Sequence, residues 1–200
     1  MTEYVAPFFI GLGLAASVGF RIFLPLLALS AASYFDIIPV DNSFAWISTF
    51  PAMIALGAAT LLETLAYFIP WFDNLLDTIA LPTATIAGTA VMASTLIELD
   101  PLWQWALAII AGGGTAGLVK GVSANTRLAS TATTGGLANP IVTTVETAAS
   151  AGLSALSVFL WPIAAIVVIG LLVLVVFFFK KLRQLWRRPS SKSSVNPASD

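Results

Sequence analysis

Long apolar runs constrain this chain more than any other feature of its sequence. The most uniform of them, IAAIVVIGLLVLVVFFF, ends at Phe179 and contains no polar side chain. A helix needs about 20 apolar residues to cross roughly 30 Å of hydrocarbon. With a mean hydropathy of +0.93, the runs predict an all-α membrane protein with about six transmembrane helices. The approximate runs are Tyr4–Ser33, Trp46–Ile69, Leu81–Leu99, Leu102 to the glycines at 112–114, Pro140–Leu160 and Pro162–Phe179.

The sequence contains neither cysteine nor histidine. Without them the chain cannot form disulfides, thiol nucleophiles, Cys/His zinc sites, Ser-His-Asp triads or His-ligated haem. General acid–base chemistry would have to come from Asp, Glu, Lys or Tyr, or from metal-bound water. We therefore expect a protein that is not an enzyme and that uses no cofactor.

The basic residues are concentrated at the C-terminal end of the chain. The positive-inside rule places this end in the cytoplasm, and six spans would place the N-terminus there as well. Contact with anionic lipid explains such a stretch beside a span, so no nucleic-acid partner is expected. No basic residue precedes Arg21, so the first apolar run is expected to be a retained span rather than a signal peptide. Six of the nine basic residues form the C-terminal group: Lys180, Lys181, Arg183, Arg187, Arg188 and Lys192.

The two halves of the chain resemble each other. GLGLAASVGFR (Gly11–Arg21) aligns without gaps to GLVKGVSANTR (Gly117–Arg127), and TLLET (Thr60–Thr64) matches TTVET (Thr143–Thr147). Three spans in each half would make the repeats inverted, an arrangement that is frequent in secondary transporters. The predicted division is a first three-span repeat over 1–100, a second over 101–182, and a basic, then disordered, cytoplasmic tail over 183–200.

Charged side chains inside the apolar runs mark the candidate site. A charge at membrane depth costs at least about 2.5–3.5 kcal/mol, so such charges usually pair with one another or line water. The expected pairs are Arg21 with Glu63, and Arg127 with Glu146. Each arginine would bind an anion, with the glutamate as counter-ion or proton acceptor. Structural ion pairs that only fix helix packing are the alternative, and the sequence leaves both open. Further candidate substrate ligands are Ser17, Ser123 and Asn125.

The stretch SANTRLASTATTGGLANP (Ser123–Pro140) is rich in small and hydroxyl side chains and carries one charge, Arg127. It is the counterpart of the SVGFR interruption in the first apolar run. Backbone outside a helix is tolerated at membrane depth only where protein or water satisfies it. We therefore expect either a broken or re-entrant element here, or a cytoplasmic loop between the fourth and fifth spans.

Two motifs carry a resemblance to a known family. They are GLGLAASVGFRIFLPLLALS near the start and E-T-x-A-x-x-I-P-x-x-D-N-x-x-D from Glu63 to Asp77. Over most of Pro7–Phe179 the chain resembles a bacterial membrane family catalogued as domain of unknown function 4126. The resemblance implies an integral protein of the bacterial inner membrane, and it supplies no substrate or mechanism. Tyr67 stands where an acidic residue is expected in such relatives.

Three polar residues of the second motif could serve another purpose. Asp73, Asn74 and Asp77 are weak candidates for cation ligands, because hard cations take carboxylate and amide oxygens. A solvated helix at the membrane interface explains the same pattern, and no metal site is predicted elsewhere.

Two classes of function fit these observations. The first is a transporter- or channel-like protein that moves a small anion or a phosphate-bearing lipid head group along repeated Arg/Glu pairs. The alternative is a non-transporting membrane scaffold or partner-binding subunit with structural ion pairs. The expected partners are the lipid bilayer and a small anion or anionic lipid, and a homo-oligomer is compatible with the sequence.

Overall fold

The structure is a computed structural model that describes the backbone of residues 2–67 and 70–186 and the side chains of 4–67, 79–178 and 180–181. Every regular element in that part of the chain is helical, in agreement with the all-α prediction. The elements are α1 (Thr2–Phe20), α2 (Phe23–Tyr34), a 3-10 helix (Asn42–Ser48), α3 (Phe50–Ala66), α4 (Pro70–Thr95), α5 (Pro101–Leu107), a π-helical segment (Ala108–Gly113), α6 (Gly114–Thr134), α7 (Asn139–Phe159) and α8 (Trp161–Trp186).

Several of these helices could cross a membrane. Three are long and apolar enough: Pro101–Thr134, which joins α5, the π-helical segment and α6, then Asn139–Phe159 and Trp161–Phe178. A fourth span results if the 3-10 helix and α3, bent by 70° to each other, count as one. Among the described residues the helices that are long enough do not reach the predicted number of six, and the first apolar run is divided into two helices at Arg21 and Ile22. The shorter apolar helices are Tyr4–Phe20, Phe23–Tyr34 and Ile79–Thr95.

Helix α1 is the centre of the bundle. It packs against α2, α4, α6, α7 and α8, and residues 11–19 are all buried. Glycine permits the approach of α6, because an added Cβ at Gly19 would lie only 2.8 Å from the carbonyl oxygen of Ala116. The C-terminal end of α1, which Arg21 follows, is thereby held directly beside α6.

The hydroxyl-rich stretch Ser123–Pro140 is largely helical, so it is not a loop over its whole length. That it forms a broken or re-entrant element at membrane depth stays a prediction. Helix α6 continues to Thr134, and only residues 135–138 form a turn, with φ of 64° and 88° at its two glycines. Hydroxyl groups in α6 donate to carbonyl oxygens one turn earlier, as from Thr126 to Val122 at 3.0 Å. Because this bond satisfies the hydroxyl within the helix, a composition typical of loops is compatible with helical structure.

Candidate functional site

At the break between α1 and α2, a carboxylate from α3 caps the start of α2. The first backbone N–H groups of a helix lack partners inside that helix, and α2 has no side-chain cap of its own. Glu63 supplies the missing acceptors, since its oxygens accept hydrogen bonds from the N–H of Ile22 at 2.9 Å and of Phe23 at 3.0 Å. Glu63 therefore fixes the backbone at the point where Arg21 leaves α1.

The side chain of Arg21 extends to α7 rather than to Glu63. Its Nε donates to Thr147 Oγ1 at 3.0 Å, and its Nη2 donates to the carbonyl oxygen of Thr143 at 3.2 Å. The side chain is fully buried, and its Nη1 has no hydrogen-bond partner. The predicted Arg21–Glu63 pair is thus replaced by two separate sets of bonds, although the two charges still attract each other electrostatically.

The second predicted pair is confirmed. Arg127 and Glu146 form a buried ion pair between α6 and α7. Arg127 Nε donates to Glu146 Oε1 at 3.3 Å, and its Nη2 also donates to Thr143 Oγ1 at 3.2 Å. Ser123, one turn before Arg127 on α6, donates its hydroxyl to the same carboxylate. Since Thr143 contacts both arginines, one turn of α7 connects the two halves of the site.

Two further residues, Tyr67 and Lys120, complete the site, and neither is among the predicted ligands. The Cζ atoms of Arg21 and Arg127 lie 4.2 Å and 4.3 Å from the centre of the Tyr67 ring. The Nζ atom of Lys120 lies 5.4 Å from the same centre and donates to the Tyr67 hydroxyl at 3.2 Å. These are cation–π contacts, which gain strength where water is excluded.

We call the resulting group the buried charge cluster. It brings together residues from α3, α6 and α7 and from the positions directly after α1 and α3, and all of them are less than 10% exposed. Among the described side chains it holds three basic and two acidic groups. Opposite charges therefore lie close together in a region without solvent, where they interact more strongly than in water. The members of the cluster are Arg21, Glu63, Tyr67, Lys120, Arg127 and Glu146.

One sequence pattern could have revealed Lys120. It is the only basic residue outside the C-terminal group besides the two arginines. Positions 120, 123 and 127 also share one face of a helix, because residues three and four apart lie above one another. No comparable pattern points to Tyr67, whose role depends on where the end of α3 lies relative to α1 and α6.

Other predicted site residues lie apart from the buried charge cluster. Ser17 is buried in α1, where its hydroxyl donates to the Gly13 carbonyl at 2.9 Å. Asn125 is exposed on α6, and its amide donates to the Gly121 carbonyl at 2.7 Å, so it is not a ligand of the cluster in this structure. The side chains of the weak metal candidates, Asp73, Asn74 and Asp77, lie outside the described residues.

The arrangement is suited to holding an anion. Arginine offers five N–H donors in a rigid fork that matches carboxylate and phosphate groups. One of these donor groups, Arg21 Nη1, is buried without an acceptor, and a buried unsatisfied polar group costs about 1–3 kcal/mol. An anionic oxygen at this point would remove that cost. An anion would also compete with Glu146 for the Arg127 guanidinium.

Fold and site together define a class: an all-helical protein with several helices able to cross a membrane and a charge cluster buried between them. The comparison of sequences gives the family within that class. The profile of a family described as a domain of unknown function, DUF4126, matches residues 8–181, and the chain belongs to this family. No curated protein and no solved structure gave a significant match. The matched range includes every member of the buried charge cluster.

Proposed function

We propose that this protein is a transporter or channel of the bacterial inner membrane that binds an anion at the buried charge cluster and moves it across the bilayer. The observation that carries the proposal is the Nη1 group of Arg21, a fully buried donor without an acceptor, beside two further basic side chains. A charge placed inside a membrane protein is costly, so such groups usually face a substrate pathway or one another. The anion is either small or a phosphate-bearing lipid head group.

The origin of the cluster residues supports a two-repeat design. Arg21 and Glu63 come from the first predicted repeat, whereas Arg127 and Glu146 come from the second, and all four lie in one cluster. Inverted repeats place their substrate site at the repeat interface near the midplane. In the proposed topology six spans cross the membrane and both termini lie in the cytoplasm. The exposed Lys180 and Lys181 at the end of α8 fit the cytoplasmic side of that topology.

One observation favours the alternative function as a non-transporting scaffold. Both oxygens of Glu63 are engaged by backbone N–H groups, which is a structural use of a buried charge. If the other charges serve only this purpose, the cluster would fix helix packing and the function would lie in a bound partner protein. The two functions differ in whether the cluster exchanges ligands.

Replacement of Arg21 by glutamine should strongly reduce anion flux if the proposed function is right. We would reconstitute the purified full-length protein into phosphatidylcholine vesicles and measure the efflux of chloride, sulfate and inorganic phosphate. Loss of charge-assisted hydrogen bonds worth about 1.5–3 kcal/mol predicts a decrease of about 10- to 100-fold for the transported anion in Arg21→Gln. Arg21→Lys, which keeps the charge and loses the fork, should retain part of the flux.

The matched control for this experiment is Lys180→Gln, because it removes one positive charge from an exposed position at the end of α8. It should leave the efflux rate unchanged. Size-exclusion profiles in detergent would establish that every variant is folded before reconstitution. Transport is refuted if neither these anions nor a phosphate-bearing lipid crosses the vesicle membrane faster with the protein than without it.

A further inference from the structure

A cleft of about 270 Å³ lies between α6 and α7, directly beside the buried charge cluster. Helices α6 and α7 follow each other in the chain, yet each packs more extensively against α1 than against its neighbour. The two therefore diverge on the outer side of the bundle, and the cleft occupies the space between them. It is lined by Phe20, Val122, Ser123, Thr126, Ile141, Val142, Val145 and Glu146.

The mouth of the cleft opens to the outside of the protein. Ile141 is 67% exposed and Val145 is 62% exposed, so both present branched apolar side chains at the mouth. On a helix that crosses a bilayer, such residues are in contact with acyl chains rather than with water. The mouth of the cleft is therefore suited to a hydrocarbon chain and poorly suited to a free hydrated ion.

The surface of the cleft is almost wholly apolar, and its most buried lining residues are Ser123 and Glu146. Ser123 donates its hydroxyl to Glu146, and Glu146 forms the ion pair with Arg127. Arg127 does not itself line the cleft, and its guanidinium lies behind Glu146. Apolar walls that end in hydrogen-bonding and charged groups match an amphiphile, with its chain at the mouth and its head group inside.

The depth of the site is within reach of a lipid head group. Arg127 lies seven residues before the end of α6, and Glu146 lies seven residues after the start of α7. At a rise of 1.5 Å per residue, both are about 10 Å from the turn that joins the helices. One turn closer to that end, the Oγ atom of Ser130 is shielded from solvent and has no hydrogen-bond partner. It is a further donor between the turn and Arg127.

We infer that a membrane lipid with a phosphate head group enters this cleft sideways from the bilayer and is the ligand of the buried charge cluster. Its phosphate would bind the Arg127 and Arg21 guanidinium groups in competition with Glu146, and its acyl chain would lie against Ile141 and Val145. Ser123 would hold the displaced carboxylate. The inference deepens the proposed function and rests on it, since it names the class of substrate that the transporter moves.

Filling the mouth of the cleft tests the inference. Full-length protein would be reconstituted into phosphatidylcholine vesicles that contain phosphatidic acid with a fluorescent acyl chain, and dithionite would quench the probe in the outer leaflet. The wild-type protein should expose the inner-leaflet probe to dithionite. Val145→Trp, which puts a large ring at the mouth, should slow this translocation by about tenfold, equivalent to 1.4 kcal/mol. Ile141→Trp provides a second blocked variant should the first fail to fold.

The matched control is Ile166→Trp, which adds the same ring to an exposed position on α8 outside the cleft. It should translocate the lipid as fast as the wild-type protein. If Val145→Trp and Ile141→Trp translocate the lipid as fast as the wild-type protein, sideways entry is overturned. If the protein releases inorganic phosphate but does not move the lipid, the lipid is not the substrate. In both cases the proposed function would stand. Movement of neither probe, nor of chloride or sulfate, would overturn the proposed function as well.

Discussion

Replacement of Glu146 by alanine is expected to lower the free energy of unfolding by about 3–5 kcal/mol, because breaking a buried ion pair from one side is strongly destabilising. Glu146 is 5% exposed and forms the ion pair with the equally buried Arg127. The change also removes the acceptor of the Ser123 hydroxyl. Denaturant-induced unfolding of the purified protein in detergent would measure the difference.

Two matched variants separate this effect from a general loss of charge. Glu98→Ala removes an exposed carboxylate and should change the stability by less than about 0.5 kcal/mol. The double variant Arg127→Met/Glu146→Met should recover most of the stability, since well-packed apolar residues often replace a buried ion pair at little cost. The double variant should nevertheless lose anion flux. If Glu146→Ala is as mild as Glu98→Ala, the ion pair has no importance for the fold.

Glu63→Gln is expected to be costly in spite of its nearly identical shape. The two carboxylate oxygens accept from the N–H groups of Ile22 and Phe23, whereas a glutamine amide offers only one oxygen. Its NH₂ group would then face a second donor, and a buried unsatisfied donor costs about 1–3 kcal/mol. With the loss of a charge-assisted bond, we expect a destabilisation of about 2–4 kcal/mol.

Hydrogen exchange would locate the effect of Glu63→Gln. The amides of Ile22 and Phe23 should exchange faster, because local opening is controlled by the bonds that hold a segment in place. Exchange within α8 should be unchanged, because the two bonds of Glu63 go to Ile22 and Phe23 at the start of α2, and Glu98→Gln should affect neither segment. Unaltered exchange at Ile22 and Phe23 would contradict the assignment of Glu63 as the carboxylate that caps α2.

The charged residues of the site were predictable to a considerable extent from the sequence. Arg21, Glu63, Arg127 and Glu146 stand out because a charge inside an apolar run is costly and seldom occurs without a partner. Of the two predicted ion pairs, only one was correct. Arg127 binds Glu146 as expected, but Arg21 bonds to α7, because Glu63 is engaged by the N–H groups at the start of α2, which have no partner inside that helix.

The position of Tyr67 in the site and the length of α6 could not be predicted from sequence patterns. The position of Tyr67 against two guanidinium groups depends on how α3 meets α1 and α6, and no local periodicity reports it. The length of α6 was missed for a different reason. Serine and threonine favour turns when their hydroxyls lack acceptors within a helix, and in α6 the carbonyls one turn earlier provide those acceptors.

Ligand-induced stabilisation tests most directly whether the buried charge cluster binds an anion. The unfolding midpoint of the purified full-length protein would be followed while chloride, sulfate, inorganic phosphate or short-chain phosphatidic acid is added in turn. A ligand that binds the folded state at 100 times its Kd should stabilise it by about 2.7 kcal/mol. We expect at least one of these anions to raise the midpoint of the wild-type protein and of Lys180→Gln, and to leave that of Arg21→Gln unchanged. The account would be contradicted if none of the four raises the midpoint, or if Arg21→Gln responds as strongly as the wild-type protein.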